Sequence, residues 1–205
     1  MPRYIAYMCV LMSATMIAAP QRRTSRPPAF KVSQDAKCPA NLGTGIKSSR
    51  VFCDVLVADK AADGIVMTIP RHRGTSTLHF DLHNRFTVTP DAVQPVQAFA
   101  RNAAVVAVLN PKNEIIGRGA TMTEFRGAGD LFDRIAGGAG PGGVKAVAPG
   151  VPTPIDVTIA ATLSSVSIVG VRVEVTNRLG AQTFDTPGRP VAIVSNLRID
   201  YVPLR

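Results

Sequence analysis

Tryptophan is absent from this chain of 205 residues, and aromatic residues make up 5% of it. Proteins that bind sugars or single-stranded nucleic acids commonly stack aromatic rings on the ligand. A carbohydrate-binding module is therefore an alternative that requires the few rings to be exposed and coplanar. The candidate rings for such a surface are Phe86, Phe99, Phe125 and Tyr201.

Acidic residues are nearly missing from the first quarter of the chain. Residues 1–50 contain 8 of the 23 Lys and Arg residues but 1 of the 14 acidic residues. The formal net charge of +9 is therefore mainly a property of an N-terminal arm. Nucleic-acid-binding domains more often concentrate basic residues on a folded surface, so we expect no nucleic-acid partner.

Charged residues are also absent between Tyr4 and Ala19, where the chain is mostly apolar. This run is shorter than the roughly 20 residues that cross a bilayer comfortably, and it ends in small residues. The pattern predicts a secretory signal peptide over residues 1–19 and a secreted or periplasmic protein. Arginines between residues 22 and 26 disfavour translocation of this flank. The alternative is therefore an uncleaved membrane anchor over residues 4–19.

The remainder of the chain divides by composition. Residues 20–37 are polar, basic and proline-containing, which predicts an extended linker. Residues 38–205 contain the regular apolar patterns, and they are numerous enough for a single domain with its own core.

Cysteines number only three. Cys9 falls within the apolar N-terminal run, where we interpret it as a hydrophobic filler. Cys38 and Cys53 form an even pair in a protein expected to be exported, which predicts one disulfide. Closing this 15-residue separation would stabilise the fold by about 3 kcal/mol on the chain-entropy model. Two buried free thiols are the alternative. The chain has no second cysteine pair for a zinc site, and we predict neither a metal nor a cofactor.

Long amphipathic helical patterns are missing as well. Most of the body alternates apolar and polar residues with a period of two, as half-buried strands do. Turn-forming sequences separate these runs, among them Asn-Pro-Lys-Asn at residues 110–113 within a predicted hairpin over residues 96–125. We predict an all-β fold, an antiparallel β-sandwich of about seven to nine strands in a jelly-roll or immunoglobulin-like order.

Two segments interrupt the strand pattern. One short helix is predicted near residues 130–136. Asp130 is a candidate N-cap, Leu131 and Ile135 are apolar and four residues apart, and a glycine follows them. The Gly/Pro-rich sequence that follows, residues 137–154, predicts a long loop.

Two of the three histidines lie in the stretch TSTLHFDLHNRF, residues 75–86. Apolar residues alternate here with polar ones, which predicts a strand with His79, Asp81 and His83 on one face. The two histidines would then lie about 13 Å apart. Both cannot bind one zinc ion, because Zn–N bonds are only about 2.0–2.1 Å long. We therefore interpret this face mainly as a hydrogen-bonding surface.

Arginines flank the third histidine in the stretch PRHRG, residues 70–74. The guanidinium fork suits carboxylate, phosphate or sulfate groups, which raises the hypothesis of an anion-binding patch. We assign no catalytic residue, because the chain contains no Gly-x-Ser-x-Gly elbow and a disulfide would occupy the cysteines. The ligand-binding residues of this hypothesis are Arg71, His72, Arg73, His79, Asp81 and His83.

Together these observations predict an exported, non-enzymatic β-sandwich with a binding or structural role in the cell envelope or extracellular space. Its expected partner is a protein or a glycan, and it would contact a membrane only through an uncleaved N-terminal segment. A carbohydrate-binding module is one alternative function. The other is a hydrolase or a metal-dependent enzyme that uses His72, His79, Asp81 and His83.

Overall fold

The computed structural model describes residues 30–85, 100–126, 130–136 and 144–204, with the backbone alone at residues 136 and 144–149. The predicted signal peptide lies outside these residues. The described chain forms strands and one short 3-10 turn at Ala61–Asp63. None of its helical structure is long and apolar enough to cross a membrane.

Strands dominate the described chain and outnumber the seven to nine that the sequence predicts, because several of them are short. All pairs of strands are antiparallel, which confirms the all-β prediction. In chain order the strands are β1 (Lys31–Ser33), β2 (Ala36–Lys37), β3 (Asn41–Thr44), β4 (Val51–Leu56), β5 (Ile65–Thr68), β6 (His72–Asn84), β7 (Ala100–Leu109), β8 (Ile115–Phe125), β9 (Leu131–Ala136), β10 (Val144–Pro149), β11 (Thr153–Ile159), β12 (Ser165–Asn177), β13 (Gly180–Phe184) and β14 (Pro190–Pro203).

Two sheets and one separate hairpin contain these strands. Sheet A has the order β11-β6-β14-β4-β3, with β1 beside the second half of β14. Sheet B has the order β2-β5-β12-β7-β8, with β13 beside the end of β12. The hairpin consists of β9 and β10. The two sheets enclose a common core, which confirms the predicted sandwich.

The core lies between the inner faces of the two sheets. Leu78, Phe80 and Leu82 of β6 contribute to it from sheet A, as their alternation predicts. Val106 and Val108 of β7 contribute from sheet B, which confirms the strand prediction for this alanine-rich segment. Complete burial of such aliphatic and aromatic side chains contributes roughly 1.5–3 kcal/mol each.

A disulfide joins Cys38 to Cys53, with 6.1 Å between their Cα atoms, as the sequence predicts. Cys53 lies in β4 of sheet A, and Cys38 directly follows β2 of sheet B. The bond therefore ties the two sheets together. The final residues of the predicted linker belong to the folded sandwich, because β1 pairs with β14 of sheet A and β2 pairs with β5 of sheet B.

Strand β9 occupies Leu131–Ala136 in the described chain, so the predicted helix near residues 130–136 is wrong. Leu131 and Ile135 are four residues apart, which fits a helix, but an even spacing also fits one face of a strand. Pairing of β9 with β10 decides between the two. Strand β10 also replaces part of the predicted loop over residues 137–154, of which residues 137–143 lie outside the described chain.

The β9–β10 hairpin covers one end of the outer face of sheet A. Gly45, which follows β3, forms an isolated bridge with Ile135, and the Ile46 N–H donates to the Arg134 carbonyl at 2.9 Å. A Cβ atom at Gly45 would collide with Asp133 and with Phe52. The missing side chain of Gly45 thus allows the hairpin to approach the sheet closely.

Candidate functional site

The three histidines lie on β6 but do not converge. His72 begins the strand, His79 lies in its middle and His83 lies near its end. A rise of about 3.3 Å per residue separates His79 from His83 by about 13 Å, which agrees with the strand prediction. None of the described residues forms a group of three or more His, Cys, Asp or Glu side chains that could hold a metal ion.

The outer face of sheet A has two different halves. We call the half beneath the β9–β10 hairpin the covered end and the other half the open face. The covered end contains Leu42, Phe52, His83, Ile193 and Ser195. The open face contains Thr77, His79, Asp156, Thr158, Arg198 and Asp200.

A second, smaller hydrophobic core fills the covered end. Leu42, Phe52 and Ile193 of sheet A are buried together with Ile135 of the hairpin, and Phe132 of the hairpin packs against them. Burial of these side chains explains why the hairpin lies against the sheet rather than extending into solvent.

His83 lies inside this small core and is 1% exposed. Its ring centroid lies 5.5 Å from that of Phe52 and 5.3 Å from that of Phe132. Its Nε2 is hydrogen-bonded to the Ser195 hydroxyl at 2.9 Å, whereas its buried Nδ1 has no hydrogen-bond partner in the described chain.

Burial lowers the pKa of His83 from 6.5 to about 4, because the charged imidazolium loses its hydration. The carboxylates of Asp81 and Asp133 oppose this shift, and the Arg50 guanidinium reinforces it. His83 is therefore neutral at pH 7. The alternation of the sequence correctly assigned His83 to the outer face, but it could not show that a hairpin covers this position.

The contact between Ser195 and His83 has the residue types of a nucleophile and its general base. Ser195 is 0% exposed, however, so a substrate cannot reach its hydroxyl in this conformation. A histidine with a pKa of about 4 is also a weak base, and no described carboxylate orients Nδ1. The arrangement suits a structural hydrogen bond better than catalysis.

Asp133 attaches the hairpin to the segment between β3 and β4. Its carboxylate accepts the backbone N–H of Lys47 at 2.9 Å, the backbone N–H of Ser48 at 2.8 Å and the Ser48 hydroxyl. Burial alone would raise the pKa of Asp133, but these hydrogen bonds and that from the Arg134 N–H outweigh burial and lower it. No local sequence pattern indicates this role, because 85 residues separate Ser48 from Asp133.

Two ion pairs border the covered end. Arg50 pairs with Asp81 at 2.5 Å, and its guanidinium lies 5.1 Å from the centroid of the Phe132 ring. Asp54 is buried on the outer face and pairs with Arg85 at 2.8 Å. Asp81, a predicted ligand-binding residue, is thus already engaged by a cation of the same chain.

On the open face, the His79 ring lies between two carboxylates. Its Nδ1 is 2.6 Å from Asp156 Oδ1, and its Nε2 is 3.1 Å from Asp200 Oδ2. Arg198 also lies 3.7 Å from Asp200. These four residues come from β6, β11 and β14, which neighbour one another in sheet A. Pairing of the strands therefore assembles a charged network that single-strand alternation does not show.

Apolar side chains border this network at β1. Val32 lies opposite Asp200 in the strand register and is 57% exposed. Phe30, two residues earlier, is 71% exposed. Residues paired across neighbouring strands share a face of the sheet, so Val32 lies beside the network, and Phe30 directly precedes β1.

The PRHRG stretch lies at the start of β6. Arg71 and Arg73 are exposed, whereas His72 is half-buried, with its Nδ1 2.9 Å from the Pro70 carbonyl oxygen. Arg71 and His72 line a shallow cleft of about 310 Å³ together with Leu163. The six predicted ligand-binding residues therefore fall into three separate places rather than one site.

The aromatic residues that the glycan alternative requires are only partly described. Phe125 is buried, and Tyr201 is half-buried against the main core. Phe86 and Phe99 lie outside the described residues. Phe30 is the most exposed aromatic side chain of the described chain, and it was not among the candidates.

Comparison with protein-family models, with curated proteins and with solved structures finds no match to this chain.

Proposed function

We propose that this protein is an exported, non-enzymatic β-sandwich that binds a protein partner in the cell envelope or outside the cell through its open face. A structural disulfide is typical of oxidising compartments, and the Cys38–Cys53 bond supports export. The apolar N-terminal run supports it independently.

The observation on which the binding proposal depends is the composition of the open face. The network of His79, Asp156 and Asp200 borders the well-exposed Val32, and the well-exposed Phe30 directly precedes the strand of Val32. Protein interfaces commonly combine apolar and aromatic anchors with arginines and a polar surround. A protein partner fits this combination better than a glycan, which would need several exposed rings.

Export is tested by mass spectrometry of the intact mature protein from its natural host, with and without reductant. We expect loss of the first 19 or so residues and a gain in mass of two hydrogen atoms when the reductant converts the disulfide into two thiols. A full-length cytoplasmic protein with free thiols would overturn the exported part of the proposal.

Binding is tested by placing a photo-crosslinking amino acid at Val32 on the open face. Ala120, exposed on β8 of sheet B, is the matched control position. We expect a discrete protein adduct from position 32 that charge reversal by Asp156→Lys abolishes, and no such adduct from position 120. Equal adducts from both positions would contradict the proposal, and adducts destroyed by periodate would indicate a glycan.

A serine hydrolase is the second candidate function, because Ser195 and His83 are hydrogen-bonded at 2.9 Å. A fluorophosphonate probe tests it, with Ser195→Ala as the control. We expect no labelling of the wild-type protein, since Ser195 is buried. Stoichiometric labelling that the substitution abolishes would replace the binding proposal with an enzymatic one.

A further inference from the structure

We propose that the β9–β10 hairpin is an acid-released flap, held closed at neutral pH by the uncharged imidazole of His83 beneath it. Acidification would undock the hairpin and expose the covered end, while the disulfide-linked sandwich stays folded. This inference concerns the opposite half of the outer face from the open face and does not depend on any partner that binds there.

The side-chain attachments of the hairpin that the structure describes lie on β9, and the β10 backbone also lies beside β6 and β8. In the described chain, its apolar contacts are those of Phe132 and Ile135 with the covered end. Its backbone joins the sandwich through Gly45 and Ile46. Among the side chains described in β9, Asp133 is a polar anchor, because it accepts hydrogen bonds from the 47–48 segment. The hairpin forms a two-stranded sheet of its own outside sheets A and B, and such a separate element can open locally without unfolding of the whole protein.

Protonation of the docked His83 ring is unfavourable, because its surroundings provide neither a hydrogen-bond acceptor for Nδ1 nor water to solvate the positive charge. A proton on Nδ1 would have no described acceptor, and the ring contacts Phe52 and Phe132 rather than water. A buried charge without a hydrogen-bond partner is strongly unfavourable. Opening of the hairpin would remove Phe132 from the ring and return the imidazole to solvent. Protonation therefore favours the open state.

The charged groups around His83 do not remove this effect. Arg50 disfavours protonation, whereas Asp81 and Asp133 favour it. Asp81 is already neutralised by Arg50 at 2.5 Å, and Asp133 is engaged with Lys47 and Ser48 backbone groups. Asp54, which is also buried on this face, pairs with Arg85 at 2.8 Å.

Asp133 adds a second response in the same direction. Its pKa is lowered by its hydrogen bonds to the 47–48 segment, so the carboxylate form favours the docked hairpin. Protonation at still lower pH removes the negative acceptor and weakens that anchor. Release of the flap therefore begins with His83 and is completed by Asp133.

Hydrogen–deuterium exchange of the full chain, measured between pH 7 and pH 4 and expressed as protection factors, tests the proposal. We expect protection of the β9 amides to fall on the order of a hundredfold, which follows from a histidine pKa lowered from 6.5 to about 4. Protection in β7 and β12 of sheet B should remain.

Two variants identify the histidine responsible. His83→Leu removes the titration and keeps an apolar side chain, so its hairpin should stay protected between pH 6.5 and 4. His83→Gln also removes the titration but retains a hydrogen-bond partner for Ser195, and its hairpin should likewise stay protected between pH 6.5 and 4. This second variant keeps the test decisive if the leucine variant misfolds. His79→Gln, on the open face of the same strand, is the matched control and should keep the wild-type response.

Three outcomes would overturn the inference. The first is unchanged hairpin protection in the wild-type protein across this pH range. The second is loss of protection in β7 and β12 together with the hairpin, which would show global rather than local opening. The third is a pH response that persists in both His83 variants or disappears in His79→Gln.

Discussion

The two halves of the outer face of sheet A start from the same local pattern and reach opposite environments. His79 and His83 are both outward-facing residues of β6, four positions apart. His79 lies among carboxylates at the surface, whereas His83 is buried between phenylalanine rings. The difference lies in the β9–β10 hairpin, which covers one half and leaves the other open. An outward-facing strand position is therefore not equivalent to an exposed one.

The largest difference between the halves should appear when an apolar side chain is truncated on each. Phe52→Ala removes a fully buried ring from the covered end and should lower the free energy of unfolding by about 3–5 kcal/mol. Val32→Ala, at the border of the open face, should change it by less than about 0.5 kcal/mol. Urea unfolding with the disulfide intact measures both, and similar losses would show that the hairpin does not create a second core.

Acidification should affect the covered end next most strongly. The folded pKa of His83, about 4, lies below its ordinary 6.5. The contribution of neutral His83 to the free energy of unfolding is therefore fully present above about pH 6.5. It is lost as the pH falls towards 4, which lowers the free energy of unfolding by up to about 3 kcal/mol. The lowered pKa of Asp133 adds a further loss below its ordinary 3.8. Urea unfolding at each pH measures this, and a His83→Leu variant with the same pH profile would contradict the assignment.

Carboxylates on the two halves should also differ in importance. Asp133→Ala leaves backbone donors of Lys47 and Ser48 without their acceptor, which should cost about 1–3 kcal/mol. Asp200→Ala removes partly exposed ion pairs with His79 and Arg198, which should cost less than about 1 kcal/mol. Thermal unfolding at pH 7 compares them, and the reverse order would show that the open face is the more integral half.

The smallest effect is expected at the open face itself. His79→Gln removes the ring that bridges Asp156 and Asp200, and the free energy of unfolding at pH 7 should change by less than about 1 kcal/mol. Chemical denaturation measures it against the wild-type protein. A loss of several kcal/mol would instead make this network a structural element rather than a surface available to a partner.

Much of the fold could be predicted from local pattern. The period of two in β6, the Asn-Pro-Lys-Asn turn between β7 and β8, and the pairing of Cys38 with Cys53 are confirmed. Each of these depends on residues close in sequence or on a pair with few alternatives. The prediction for residues 130–136 is wrong, because the spacing of Leu131 and Ile135 fits both periods and pairing with β10 decided the outcome.

The candidate site was less predictable than the fold. The predicted ligand-binding residues share a chemical type along β6 and its preceding turn, but the structure separates them. The partners of the histidines come from distant parts of the chain: Asp156 and Asp200 for His79, Ser195 and Phe132 for His83. No local pattern connects these positions, since sheet order and hairpin docking bring them together.

The sequence by itself determined that apolar residues at alternate positions would be buried between sheets, because a strand directs successive side chains to opposite faces. It also determined which two cysteines could pair. Only the tertiary structure decided that one outer half of sheet A would be covered and the other left open. That outcome depends on a distant hairpin, on the space left by Gly45 and on the burial of Phe52 and Ile135, none of which is encoded in the alternation of β6.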